Sequence, residues 1–128
     1  MNGNKNPGDT DPILAPPVDL ERISDLTGGD IAGLKELVTL HFELTARQIR
    51  QIEVAIRNNL PEDMCREAHS CGGASATLGM TQLGAIFKEM ELQGKAGRMN
   101  QAADLCRGAT KEVERVRAFL TPLLEQLD

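Results

Sequence analysis

A chain of 128 residues with a formal net charge of −5 has room for one packed domain, and its 41% hydrophobic content supplies a core if most of it is helical. Three Phe with neither Trp nor Tyr, among abundant Leu, Ala, Glu, Gln and Arg, make an all-β fold improbable. The acidic balance and the lack of any Lys/Arg cluster with interleaved aromatics argue against a nucleic-acid surface, so proteins are the expected partners.

Residues 1–18 carry Pro7, Pro12, Pro16 and Pro17 with Gly, Asn and Asp, a composition that reads as a flexible N-terminal arm ahead of a helical domain over residues 19–128. The stretch Met1–Thr10 is polar without a signal-like apolar core, and no apolar run reaches the ~18 to 20 residues that cross a bilayer. A cytoplasmic protein without membrane contact is the expectation.

Asp19 is the expected N-cap of a short helix with Leu20, Ile23 and Leu26 inward, stopped by Gly28-Gly29. Asp30 caps a much longer helix whose apolar stripe, Leu34, Leu37, Val38, Leu44, Ile49, Ile52 and Ile56, recurs at three- and four-residue spacing until Asn58-Asn59. Pro61 suits the first turn of the next helix, Glu62 and Asp63 its positive end, and that helix runs through Met64, Ala68 and Ser75 toward Leu78-Gly79. Thr81 or the adjacent turn opens a third long helix with Leu83, Ile86, Phe87 and Met90 inward, ending near Gly94 and Gly97. Met99, Ala102, Cys106, Ala109, Val113, Val116, Leu120 and Leu123 or Leu124 trace the last helix, where Pro122 should bend or loosen the final turns.

Short connections make consecutive helices run antiparallel, so the predicted fold is all-α: an up-and-down antiparallel four-helix bundle with an additional short N-terminal helix. A bundle that closes its own core is expected to be a monomer. Cys65, Cys71 and Cys106 form neither an even set nor a CxxC pair and read as buried free thiols; Cys65, His69 and Cys106 lack a fourth ligand, so no metal site is predicted. His41 reads as a structural or surface histidine.

The informative run is Ala68-His69-Ser70-Cys71-Gly72-Gly73-Ala74-Ser75-Ala76-Thr77-Leu78-Gly79. At ~100° per residue, Arg66, His69, Gly72, Gly73 and Ala76 share one stripe, which faces outward when Ala68 and Ser75 face the bundle. Two adjacent glycines inside a helix cost about 1 kcal/mol each relative to Ala. Either they mark tight helix packing, or they keep bare the backbone beside an exposed imidazole that must meet a site on another protein.

That run resembles the histidine-containing phosphotransfer (HPt) motif, in which Ala-His is followed at the fourth place by Gly, then by small residues, and at the tenth by another Gly. The matching positions are Ala68-His69, Gly73, Ala74-Ser75 and Gly79. Met90-Glu91 corresponds to the family's Leu-Glu pair, and an apolar helix with Phe42, Ile52, Glu53 and Ala55 precedes the histidine, so the likeness in layout spans residues 19 to 125.

The resemblance implies a phosphorelay intermediate that accepts a phosphoryl group on His69 from a receiver-domain aspartate and passes it to another response-regulator receiver. Such a protein is a phosphohistidine carrier rather than an independent catalyst, with no cofactor of its own, the receiver bringing Mg²⁺. Receiver domains are the implied partners, with a hybrid sensor histidine kinase as a further candidate. Glu91 would fix the imidazole tautomer, and Gly73 and Ala76 would leave clearance for the partner. The family usually has Leu-Lys where this chain has Cys71-Gly72, so a cation is missing; Arg66, Lys88 and Lys95 are the candidates to replace it, and a lysine restored at position 72 is expected to leave the fold little changed. The alternative is an HPt-like adaptor that binds a kinase or receiver with weak or lost transfer.

Overall fold

Asp19 opens the first helix, α1 (Leu20–Thr27), by accepting hydrogen bonds on its carboxylate from the backbone N–H groups of Glu21 and Arg22 at 3.1 and 3.3 Å. Asp30 serves α2 (Ile31–Arg57) in the same way, accepting from Gly33 N–H at 3.1 Å. Each cap pairs donors that a helix start leaves open, worth about 1 kcal/mol. Pro61 stands in the first turn of α3 (Pro61–Thr77), followed by α4 (Thr81–Lys95) and α5 (Ala102–Gln126). These elements come from a computed structural model that describes residues 16–126.

The molecule is an all-α, up-and-down antiparallel four-helix bundle with an additional short N-terminal helix. The long helices form a closed ring in which α2 packs on α3, α3 on α4, α4 on α5 and α5 on α2, while α1 packs on α2. Ile52, Met64, Leu83, Phe87, Met90, Val116 and Leu120 fill the centre, and Ile23 of α1 joins them. Most of the expected arm lies outside the described residues, but Pro17 and Val18 at its end are buried, and Val18 belongs to the core.

Gly79 ties α1 to the rest. Its φ of +76° ends α3 in the left-handed region, and an added Cβ would lie 2.8 Å from the Asp19 carbonyl oxygen and 3.2 Å from the Arg22 Cβ. Without that atom, the Asp19 N–H donates to the Gly79 carbonyl at 2.8 Å, which seats the start of α1 on the α3–α4 turn.

Several expectations need correction. Leu44 is 41% exposed; the buried stripe of α2 runs through His41 and Thr45 instead, whose Nε2 and Oγ1 lie 3.3 Å apart and satisfy each other. Leu20 and Leu26 are exposed, so α1 buries Ile23 alone. Met99 packs on the core from the connection before α5 rather than from within it. α5 continues through Pro122 to Gln126; Pro122 and Ala118, whose carbonyl loses its helical donor there, are exposed, so water can take that bond. Cys71 and Cys106 are buried free thiols, whereas Cys65 is only half-buried.

α4 ends at Lys95, between Gly94 and Gly97 as expected, but Gly94 itself is a buried residue of its last turn. A Cβ there would lie 2.8 Å from the Pro61 carbonyl oxygen and 2.9 Å from the Cys65 Cβ. Toward the other end of the pair, a Cβ on Gly72 would press on the Phe87 Cβ at 3.2 Å, while one on Gly84 would reach Ala76 at the ordinary contact distance of 3.5 to 3.6 Å. The α3–α4 spacing is therefore set by side chains that are missing. Gly94→Ala should lower stability by about 1 to 3 kcal/mol even though alanine is the better helix former, and equilibrium urea unfolding measures it.

Candidate functional site

His69 stands in the middle of α3 with its side chain 75% exposed, and its Nδ1 lies 3.0 Å from Oε2 of Glu91 on α4. The Glu91 side chain is only 5% exposed. Lys95 Nζ lies 3.3 Å from the same oxygen, and Lys88 Nζ lies 3.9 Å from Oε1. Burial opposes ionisation of this carboxyl, but the hydrogen bonds from His69 and Lys95 and the charge of Lys88 prevail, so its pKa is held below the usual value of 4.5. A buried carboxylate acceptor keeps the proton of a neutral imidazole on Nδ1, and Nε2 is left with its lone pair toward solvent.

His69, Gly72, Gly73 and Ala76 line an open groove together with Gly84, Lys88 and Glu91 of α4. Six of the eight residues singled out in the sequence thus meet in one place. Arg66 is not among them: its guanidinium pairs with Asp63 at 2.9 Å on the outer face of α3. Lys95 reaches the site only through Glu91.

The two glycines divide the explanations that the sequence left open. A Cβ on Gly73 would meet nothing within 4 Å, so that position is clear toward solvent. A Cβ on Gly72 would lie 3.2 Å from the Phe87 Cβ, 3.7 Å from the Gly84 carbonyl and 3.8 Å from the Lys88 nitrogen. Gly72 is thus a packing residue as well as part of the groove. A lysine there would press on α4, contrary to the expectation of an unchanged fold.

Sequence reasoning missed two residues. Arg22 enters the same groove from α1, carried there by the Asp19–Gly79 contact, and no local pattern announces a residue whose placement depends on a left-handed glycine far along the chain. Gln48 of α2 bridges two residues beside His69, donating from Nε2 to Ser70 Oγ at 2.9 Å and accepting from Cys71 Sγ at 3.0 Å. Burial, helped by the charge of Glu67, pushes the Cys71 thiol up to about 12, so it is an inert hydrogen-bond donor rather than a nucleophile.

Residues 36–119 match the family model of the Hpt domain. The chain belongs to the Hpt domain family. Its role is therefore that of a phosphotransfer protein in two-component signalling. In fold it is similar to histidine-containing phosphotransfer protein B (HptB) of Pseudomonas aeruginosa PAO1, with a TM-score of 0.82 over 88% of this chain and 97% of that one at 20% identity. No curated protein matches the sequence. Among the described residues, no helix of this Hpt domain is long and apolar enough to cross a membrane.

The depressed Glu91 pKa makes stability depend on pH. Because the folded value lies below the unfolded one, the carboxylate's contribution is fully present above the usual value of 4.5 and is lost as pH falls through the folded value. Wild type should therefore exceed Glu91→Gln in unfolding free energy at pH 7, and the gap should close as pH drops from about 5 toward 3; denaturant titrations across that range measure it.

Proposed function

We propose that the protein is a phosphorelay intermediate in which His69 takes a phosphoryl group from a receiver-domain aspartyl phosphate and gives it to a second receiver. The observation that carries this reading is the pairing of an exposed imidazole with a buried carboxylate at 3.0 Å. With Nδ1–H held by Glu91, the Nε2 lone pair attacks phosphorus in line. The P–N bond forms as the acyl-phosphate P–O bond breaks, and its electron pair leaves on the aspartate carboxylate. The positive charge that the ring acquires is spread toward Nδ1, where Glu91 balances it. Return of the phosphoryl group to another carboxylate is the same step reversed.

Docking a receiver over this face requires that the α3 backbone beyond the imidazole stay clear of bulky side chains. Gly73 and Ala76 meet that need, and Arg22 adds positive charge on the rim toward α1, which suits an acidic receiver site. Metal and most of the electrostatic stabilisation would come from the receiver. A hybrid sensor histidine kinase carrying such a receiver is the natural donor in this scheme.

His69→Gln should abolish acid-labile phosphate after incubation with a phosphorylated receiver while leaving the helical circular-dichroism signal intact. Label retained by that variant would move the acceptor elsewhere. Gly73→Leu should reduce both receiver affinity and transfer by at least about tenfold, because the side chain would stand in the docking surface. Helix propensity gives it several tenths of a kcal/mol of added stability, so a melting temperature that holds or rises separates lost docking from unfolding.

A further inference from the structure

A phosphoryl group in transfer carries negative charge on three equatorial oxygens, and a cation placed against them lowers the barrier. Among the described residues, two cationic side chains line the His69 groove, Arg22 and Lys88. Arg22 is rooted against Gly79, ten residues past His69 and so about 15 Å along the direction of α3 by helix rise. Lys88 stands beside the imidazole. It lies one turn before Glu91 on α4, its backbone nitrogen would be 3.8 Å from a Cβ on Gly72, and Gly72 is itself one turn after His69.

The engagement of Lys88 suits a mobile donor. Its Nζ is 3.9 Å from Glu91 Oε1, the limit of an ion pair, whereas His69 and Lys95 both use Oε2 at shorter range. The side chain is 62% exposed, on a flexible four-carbon stem. The other cations near α3 are committed elsewhere: Arg66 to Asp63, and Lys95 to the oxygen that holds the imidazole.

We propose that Lys88 is a catalytic residue of this carrier, its ammonium contacting the phosphoryl oxygens while the P–N bond to His69 forms. The proposal rests on His69 being the phosphoryl acceptor. Gly72 belongs to the same device: without a side chain it lets the Phe87–Lys88 segment of α4 close on α3, so the cation arrives from the neighbouring helix. The atoms and electrons balance as in the step above, and Lys88 forms and breaks no covalent bond.

The test compares the full chain with Lys88→Ala, Lys88→Arg and, as a control outside the groove, Arg66→Ala. Each is labelled by phosphoramidate, a small donor that has no docking surface and releases ammonia, and by a phosphorylated receiver. Imidazole ¹⁵N shifts report the His69 tautomer in each variant. We expect Lys88→Ala to be labelled about tenfold more slowly by both donors with the tautomer unchanged, Lys88→Arg to keep at least about half the wild-type rate, and Arg66→Ala to match wild type. A wild-type rate in Lys88→Ala with either donor overturns the proposal and leaves His69 as acceptor. So does a slow rate accompanied by a changed tautomer, which would make Lys88 a positioning residue acting through Glu91. Failure of wild type to take label from either donor would instead overturn the acceptor reading, and this inference with it.

Discussion

Two glycines, Gly94 and Gly72, bring the backbones of α3 and α4 together, and the chemistry of the surface follows from that approach. Gly94 admits the Pro61 carbonyl and the Cys65 Cβ, and Gly72 admits Phe87. A glutamate on α4 can then stay buried and still touch a histidine that is mostly in solvent. With ordinary side chains along that seam the helices would stand farther apart, Glu91 would be wetter, and its hold on the His69 ring would weaken. The propensity lost at these glycines is thus offset by packing and by a preorganised imidazole.

The charges at the site are arranged around one buried carboxylate. Glu91 accepts from His69 and Lys95 on one oxygen and lies at the edge of pairing with Lys88 on the other, which keeps it ionised despite burial. In the proposed relay this arrangement would leave Nε2 as the attacking nitrogen and balance the positive charge that the imidazole gains when it bonds phosphorus.

Other helices hold this pair in place. α1 is locked to the α3–α4 turn by the Asp19–Gly79 hydrogen bond, which carries Arg22 to the groove, and Gln48 pins α2 against the turn of α3 that follows His69. Both contacts leave the reactive nitrogen open to solvent. In the proposed relay, a face that meets two receivers in turn would benefit from such support from behind.

The sequence by itself determined the helices, their caps and the histidine. Asp19, Asp30 and Pro61 act within a turn of their own position, and a 3.6-residue period forces the outward stripe of α3, so both are legible without knowing any neighbour. The motif from Ala68 to Gly79 likewise pointed to His69 and, through Met90-Glu91, to its partner. Tertiary structure alone decided what depends on two helices at once. Gly72 is adjacent in sequence to Gly73 and identical to it in propensity, yet one lies under Phe87 and the other opens to solvent. Gly94 resembled a stop signal because its reason for being glycine, the Pro61 carbonyl, lies on another helix. The partition of Arg66, Lys88 and Lys95, and the arrival of Arg22, could not be read from spacing either, because a charged side chain takes its role from the groups that surround it in space and not from its place along the chain.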